Sequence, residues 1–380
     1  MSASERQVCG AIAACRTSVL GGQMLACDAC GICHFVYHSC RNRHCPKCQT
    51  LAKERWLAAR HAELLPVPYF HLVFTLPHEL NALVPNHARV VYDLLFASAS
   101  KTLQVFGQNP RWLGGQIGIT LVLHTWTQAL TRHVHVHGVV SGGALSPDGR
   151  WRSCKRRFLF PVRALSKVFR GKYLDALQQA RTAGSLQACA WTGDEQAWQD
   201  FLKRLRRHDW VVYAKRPFGG PRQVLDYLGR YTHRVAIGNH RLLRVTADEV
   251  TFRVRDRSQK GKAKRKTMSL PGPDFLHRFL LHVLPQGFKR IRHYGLTASR
   301  CKQRMLAACR EQLQIPPPPA IIPETPEAFL QRVTGRDPQR CPVCGEGILH
   351  LVATLPRAPH PFRQALAPPA TGPPPSARTP

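Results

Sequence analysis

Between Thr131 and Gly143 the chain reads Thr-Arg-His-Val-His-Val-His-Gly-Val-Val-Ser-Gly-Gly, and no other stretch restricts the fold as strongly. Alternation of this kind is the period of a β-strand. It puts His133, His135 and His137 on one face and Val134, Val136 and Val140 on the other. The valines need a covered face. Imidazoles two residues apart are close enough for neighbours to share one metal ion. A lone strand histidine is usually a polar residue on a wet face, but three in alternation, flanked by core valines, favour metal.

The flanking segments supply a sheet for this strand. Tyr69–Leu76 alternates His71, Val73 and Thr75 against Phe70, Leu72, Phe74 and Leu76, and Pro77 stops it. Ile117–His124 reads as a second buried strand, and Trp210–Lys215 as another. Helical spacing covers about 87–106 and most of 165–210, and Phe275–Leu284 is an apolar helix. Strands and helices in this order predict an α+β domain, an antiparallel sheet with helices packed on one side.

Cysteine usage predicts a second metal. The chain carries 14 cysteines, and eight of them fall within the first 48 residues. Cys27-Asp-Ala-Cys30 and Cys45-Pro-Lys-Cys48 are Cys-x-x-Cys knuckles, each able to give two thiolates to a tetrahedral zinc. A small loop-rich unit gains its stability in this way. The expectation is one structural zinc on Cys27, Cys30, Cys45 and Cys48. Replacement of a knuckle cysteine by Cys40 or His44, or a second zinc, are the alternatives, with Cys33, His34, Cys9 and Cys15 close by. Arg41 and Arg43 would face phosphates beside the metal. Cys341-Pro-Val-Cys344 is a third knuckle but only half a site, which Cys301 or Cys309 could complete. Leu51–Leu65 reads as a helix joining the zinc unit to the main domain. The expected domains are 1–65 (zinc), 66–300 (catalytic), 301–355 (extension) and a Pro-, Ala- and Arg-rich disordered tail, 356–380.

Charge identifies the class of partner. Among 380 residues, 55 Lys and Arg face 22 Asp and Glu, a formal +33 that calls for a polyanion. No apolar run spans a bilayer and the start lacks the plan of a secretory signal, so nucleic acid in the cytoplasm is the expectation. Arg253–Lys266 holds eight Lys or Arg, among them Lys262, Lys264, Arg265 and Lys266, against Asp256 alone. Between Pro221 and Gly238 a helix would place Tyr227 and Tyr231 one turn apart, with Arg230 and Arg234 beside them. Half-buried structural tyrosines are common at such spacing, but arginines crowded on the same face argue for a phosphate.

At these residues the sequence resembles a known family. His135-Val-His137 is similar to the His-hydrophobic-His signature of the HUH endonucleases. Tyr227–Leu242 resembles the two-tyrosine motif of the insertion-sequence-ninety-one transposases, and Ser39–Gln49 that family's zinc domain. Phe70–His78 and Ile291–Gly295 are also similar, and together the resemblance covers residues 10–310. It implies an HUH-type fold and rolling-circle-like transposition. Single-stranded DNA would be nicked and rejoined at element ends through phosphotyrosine, with Mg²⁺ or Mn²⁺ as the catalytic ion. Carried over, Tyr227 and Tyr231 are the nucleophiles and His135 and His137 the ligands, with His133 the alternative. His71, His78 or Glu79 are candidates for the third ligand. Rival readings are a plasmid replication initiator or relaxase with the same chemistry, and a zinc-dependent nucleic-acid-binding protein without catalysis. The sequence leaves the oligomeric state open.

Overall fold

The computed structural model describes residues 1–155, 159–215, 223, 225–226, 229, 235–255, 265–318 and 324–358. Tyr227, Tyr231, Arg230, Arg234, Lys262, Lys264 and the tail beyond 358 therefore lie outside the described residues, as does most of the basic run after Arg255. The chain forms two compact units. One is Met1–Gln49 together with the segment from Glu324 onward, and the other is Thr50–Pro323.

The first unit begins with α1 (Ala3–Ala14), β1 (Gly22–Cys27) and β2 (Cys33–Tyr37). Ser2 caps α1 with a capping box, its side chain accepting from the Glu5 N–H while Glu5 accepts from the Ser2 N–H.

The second unit runs through α2 (Thr50–Glu63), β3 (Tyr69–Thr75), α3 (Val84–Gln108), β4 (Gln116–Trp126), β5 (Arg132–Leu145) and β6 (Trp151–Ser153). It continues with α4 (Val162–Thr182), α5 (Glu195–Arg206), β7 (Val212–Lys215), β8 (Leu242–Val245), β9 (Glu249–Arg255) and β10 (Arg265–Pro271). It ends with α6 (Gly272–Leu280), β11 (Ile291–Gly295) and α7 (Lys302–Gln312). The chain then returns to the first unit as α8 (Pro326–Thr334) and β12 (Leu349–Leu355), where β12 pairs with β1 in the sheet β12-β1-β2.

In the second unit the main sheet has the order β11-β4-β5-β3-β7, with β6 added beside β5, and every recorded pairing is antiparallel. The expected α+β architecture is present. Its core is the valine side of the histidine strand. Val134, Val136 and Val140 join Phe70, Leu72 and Phe74 of β3 and Ile119, Leu121 and Leu123 of β4 under α3, α4 and α5. Leu72, Phe74, Val136 and Leu121 have no exposed surface.

Helices were expected on one side only, and the structure differs here. A second, smaller apolar cluster on the opposite face brings Leu57 of α2, Leu225 and Leu306 of α7 against Tyr69 and Val139. α2 accordingly belongs to the second unit, since Trp56 and Leu57 pack into that cluster and Arg310 donates to the Ala62 carbonyl at 2.8 Å. The expected boundary at 65 moves to 49, and the expected 301–355 extension is divided between the two units.

Candidate functional site

The second face of the main sheet carries the histidines. Three strands contribute to it. In register, His124 of β4 stands opposite His135 of β5, and β3 flanks β5 with Val73 opposite His137 and Thr75 opposite His135. The β4–β5 connection sets this register. The Thr127 N–H donates to the Thr131 carbonyl at 2.9 Å, and the two threonine hydroxyls meet at 2.7 Å.

One nitrogen from each of His124, His135 and His137 falls within a common 4.8 Å, a spacing that can hold one ion. His135 Nε2 and His137 Nε2 are 3.1 Å apart, a separation open to two ligands each bonded at about 2.1 Å. His135 Nδ1–H donates to the His133 carbonyl at 2.9 Å, which makes Nε2, the nitrogen facing His137, the one that carries the lone pair. His137 Nδ1 meets His71 Nε2 at 2.8 Å. His124 stacks on Trp126 with ring centroids 4.7 Å apart.

Burial keeps His124, His137 and His71 neutral, which is the form that binds metal. It pushes His124 well below the usual histidine range, helped by His137, His135 and the Arg290 guanidinium. It does the same to His137, with His135 and His71 as the next causes. His71 is lowered to about 4 by burial and by Lys215, which stands opposite it on β7. Three clustered imidazoles fit a divalent cation, and an all-nitrogen donor set suits Mn²⁺ better than Mg²⁺, which prefers oxygen.

The expected third ligands are not the ones that join the cluster. His71 is occupied behind His137 and acts as its hydrogen-bond partner. His78 is almost fully exposed and faces Glu79 at 3.5 Å, outside the cluster. His133 also stays outside, contributing its carbonyl. Strand parity within β4 pointed to His124, since it shares a face with Thr120 and Val122. What was missing was the pairing partner.

The tyrosine segment is described only at Gln223, Leu225, Asp226 and Gly229, all of which have helical backbone. Leu225 is buried beside Val139, two residues from His137 on the same strand face. Asp226 accepts from or pairs with His61 at 3.1 Å.

The cysteines are arranged differently from the expected single site. Cys45 and Cys48 gather with Cys15 and Cys40, while Cys27 and Cys30 gather with Cys341 and Cys344. The two expected knuckles therefore fall in different clusters, because β1 carries the first knuckle to β12 and not to Cys45. His44 is buried but remains outside both clusters, with Nδ1 3.1 Å from the Asn42 side-chain oxygen. Cys301 and Cys309 belong to the second unit, where Cys309 is packed in the smaller apolar cluster. Arg41 and Arg43 are exposed between Cys40 and Cys45 of the first cluster, and Lys266 is exposed on β10. Among the described residues no helix is long and apolar enough to cross a membrane.

Comparison with known proteins places these features. A family model described as "Putative transposase" matches residues 118–304, and one described as "Transposase zinc-binding domain" matches residues 1–76. The protein y4qJ of Sinorhizobium fredii, which bears the first of these descriptions, is 45% identical over 354 residues, covering 91% of this chain and 88% of its own. The transposase for insertion sequence element IS801 of Pseudomonas savastanoi pv. phaseolicola is 28% identical over 353 residues, covering 90% and 82%. A solved structure of the conjugative relaxase TrwC with OriT DNA, metal-free, is 17% identical over 43% of this chain and 71% of that one. Its TM-score of 0.24 is too low to carry an argument. The two family matches and the 45% relative agree, and the chain belongs to the insertion-sequence-ninety-one family of transposases.

Proposed function

We propose that this transposase cuts and rejoins single-stranded DNA at the ends of its element, with His124, His135 and His137 holding a divalent cation and Tyr227 and Tyr231 as nucleophiles. The observation that carries this reading is the cluster of three imidazoles on one sheet face, two of them, His124 and His137, held neutral by burial. A bound Mn²⁺ or Mg²⁺ would neutralise charge on a non-bridging phosphate oxygen. The protein's own groups do the rest. The phenol gives up its proton as its oxygen bonds to phosphorus and the bond to the leaving sugar oxygen breaks, and that oxygen takes up a proton to become a free hydroxyl, so no net proton is gained or lost. The phosphodiester energy stays in the phosphotyrosine, so rejoining needs no nucleotide. Two tyrosines allow one to hold the first end while the other makes a second cut.

Several features support the position of the tyrosines. Leu225, two positions before Tyr227 in sequence, is buried beside Val139 on the histidine face, where Lys215 supplies a cation for a single strand's backbone. The formal charge of +33 agrees with that partner.

The test is cleavage of labelled single-stranded DNA carrying an element end, in Mn²⁺. His124→Ala, His135→Ala and His137→Ala should each lower cleavage by roughly 100-fold or more, while strand binding stays within a few-fold of wild type. Undiminished cleavage by His124→Ala would remove it from the ligand set.

A further inference from the structure

The family's zinc-binding match ends at residue 76, yet half of the sulfurs around Cys27 and Cys30 come from the far end of the chain. We propose that Cys27, Cys30, Cys341 and Cys344 form a second structural zinc site. It would complete the amino-terminal zinc-binding unit with a segment reached only after the whole catalytic unit.

Sulfur spacing is the first support. Cys27 Sγ is 3.7 Å from Cys344 Sγ, and Cys30 Sγ is 3.8 Å from Cys341 Sγ. A disulfide requires about 2.05 Å. Four sulfurs around a tetrahedral zinc, each about 2.3 Å from the ion, lie about 3.8 Å from one another. The cluster of Cys15, Cys40, Cys45 and Cys48 shows the same spacing, 3.6 Å for both Cys40–Cys48 and Cys15–Cys45.

Local structure is the second support, because the two knuckles are built alike. Each is Cys-x-x-Cys-Gly, with the glycine at positive φ (Gly31 at 71°, Gly345 at 73°) and its N–H donating to the first cysteine's carbonyl at 3.0 Å. Backbone N–H groups also turn towards sulfur, from Cys30 to Cys27 Sγ at 3.5 Å and from Gly347 to Cys344 Sγ at 3.4 Å. Those donors stabilise thiolate, the form a metal binds.

Pairing of β12 with β1 is the third. It places Leu349 opposite Cys27, and Asp28 accepts from the Ile348 N–H at 2.8 Å while facing His350 at 3.2 Å. His34 Nε2 lies 3.5 Å from Cys341 Sγ, where it can donate to the sulfur from outside the tetrahedron. Four thiolates select zinc over the harder ions. The site is independent of the proposed nicking chemistry, and its test needs no DNA.

Zinc per chain is measured by plasma mass spectrometry on the full-length protein, purified without chelator. Two equivalents are expected in wild type. One should remain in Cys341→Ser/Cys344→Ser, and one in Cys45→Ser/Cys48→Ser. Should the variants fail to fold, alkylation of the wild-type protein decides. Cys27, Cys30, Cys341 and Cys344 should resist iodoacetamide until zinc is chelated, then react together. One zinc per chain with Cys341 and Cys344 alkylated at once would overturn the proposal. So would a disulfide-linked peptide joining these cysteines.

Discussion

Single atoms separate a ligand from its neighbour at this site. His137 turns Nε2 towards His135 and Nδ1 towards His71, so in the proposed site His71 would orient a ligand without being one. Outer partners of this kind typically cost about 10–100-fold in metal affinity when removed. His71→Ala should therefore raise the Mn²⁺ concentration needed for cleavage by that factor and regain activity at high Mn²⁺, whereas His124→Ala should not recover. A second prediction concerns Gly229, between the two tyrosines in sequence. A Cβ built there would lie 2.7 Å from Leu57 Cδ2, inside any real contact. Gly229→Val should lose about 1–3 kcal/mol of stability or shift the tyrosine segment with loss of cleavage. Truncating Leu57 to Ala in the same chain should restore part of it; a double variant no better than the single one would mean that this contact does not position the segment.

At the scale of elements, strand parity was legible and strand pairing was not. The valines of β5 showed which face is buried, and the alternation of β3 did the same; both faces are as expected. His124 was read as the last residue of a strand and given no role. Its role depends on the register across β4 and β5, which the turn at Thr127–Thr131 sets and no periodicity reveals. The cysteines repeat the lesson. Cys-x-x-Cys spacing identifies two sulfurs that act together, but Cys27 and Cys344 are 317 residues apart and meet only because β12 adds to β1. α2 was legible as a helix, whereas its allegiance depends on Trp56 and Leu57 finding the smaller cluster. All-nitrogen ligation also belongs to this scale. Mn²⁺ should support cleavage at lower concentration than Mg²⁺, which a metal titration measures directly.

For the whole molecule, buried neutral histidines tie stability to pH. Burial lowers His282 to about 4, where it bridges Thr125 and the Leu130 carbonyl, and burial with Arg60 and Lys302 lowers His293 to about 4. In the unfolded chain these rings take up a proton near 6.5. Between the two values the unfolded state binds more protons, so stability is complete above about pH 6.5 and falls as pH drops towards 4. Urea unfolding from about pH 7 to pH 5 should show this decline, and His282→Gln should flatten it; an unchanged midpoint across that range would contradict the neutral buried state.

Every part of the proposed chemistry converges on one covalent bond. Wild-type protein incubated with Mn²⁺ and a labelled single-stranded element end should give a DNA–protein adduct that resists denaturant, and digestion with mass spectrometry should place the DNA on Tyr227 or Tyr231. Changing both tyrosines to Phe should abolish the adduct. An adduct that survives the double substitution, or maps to another residue, would contradict the assignment.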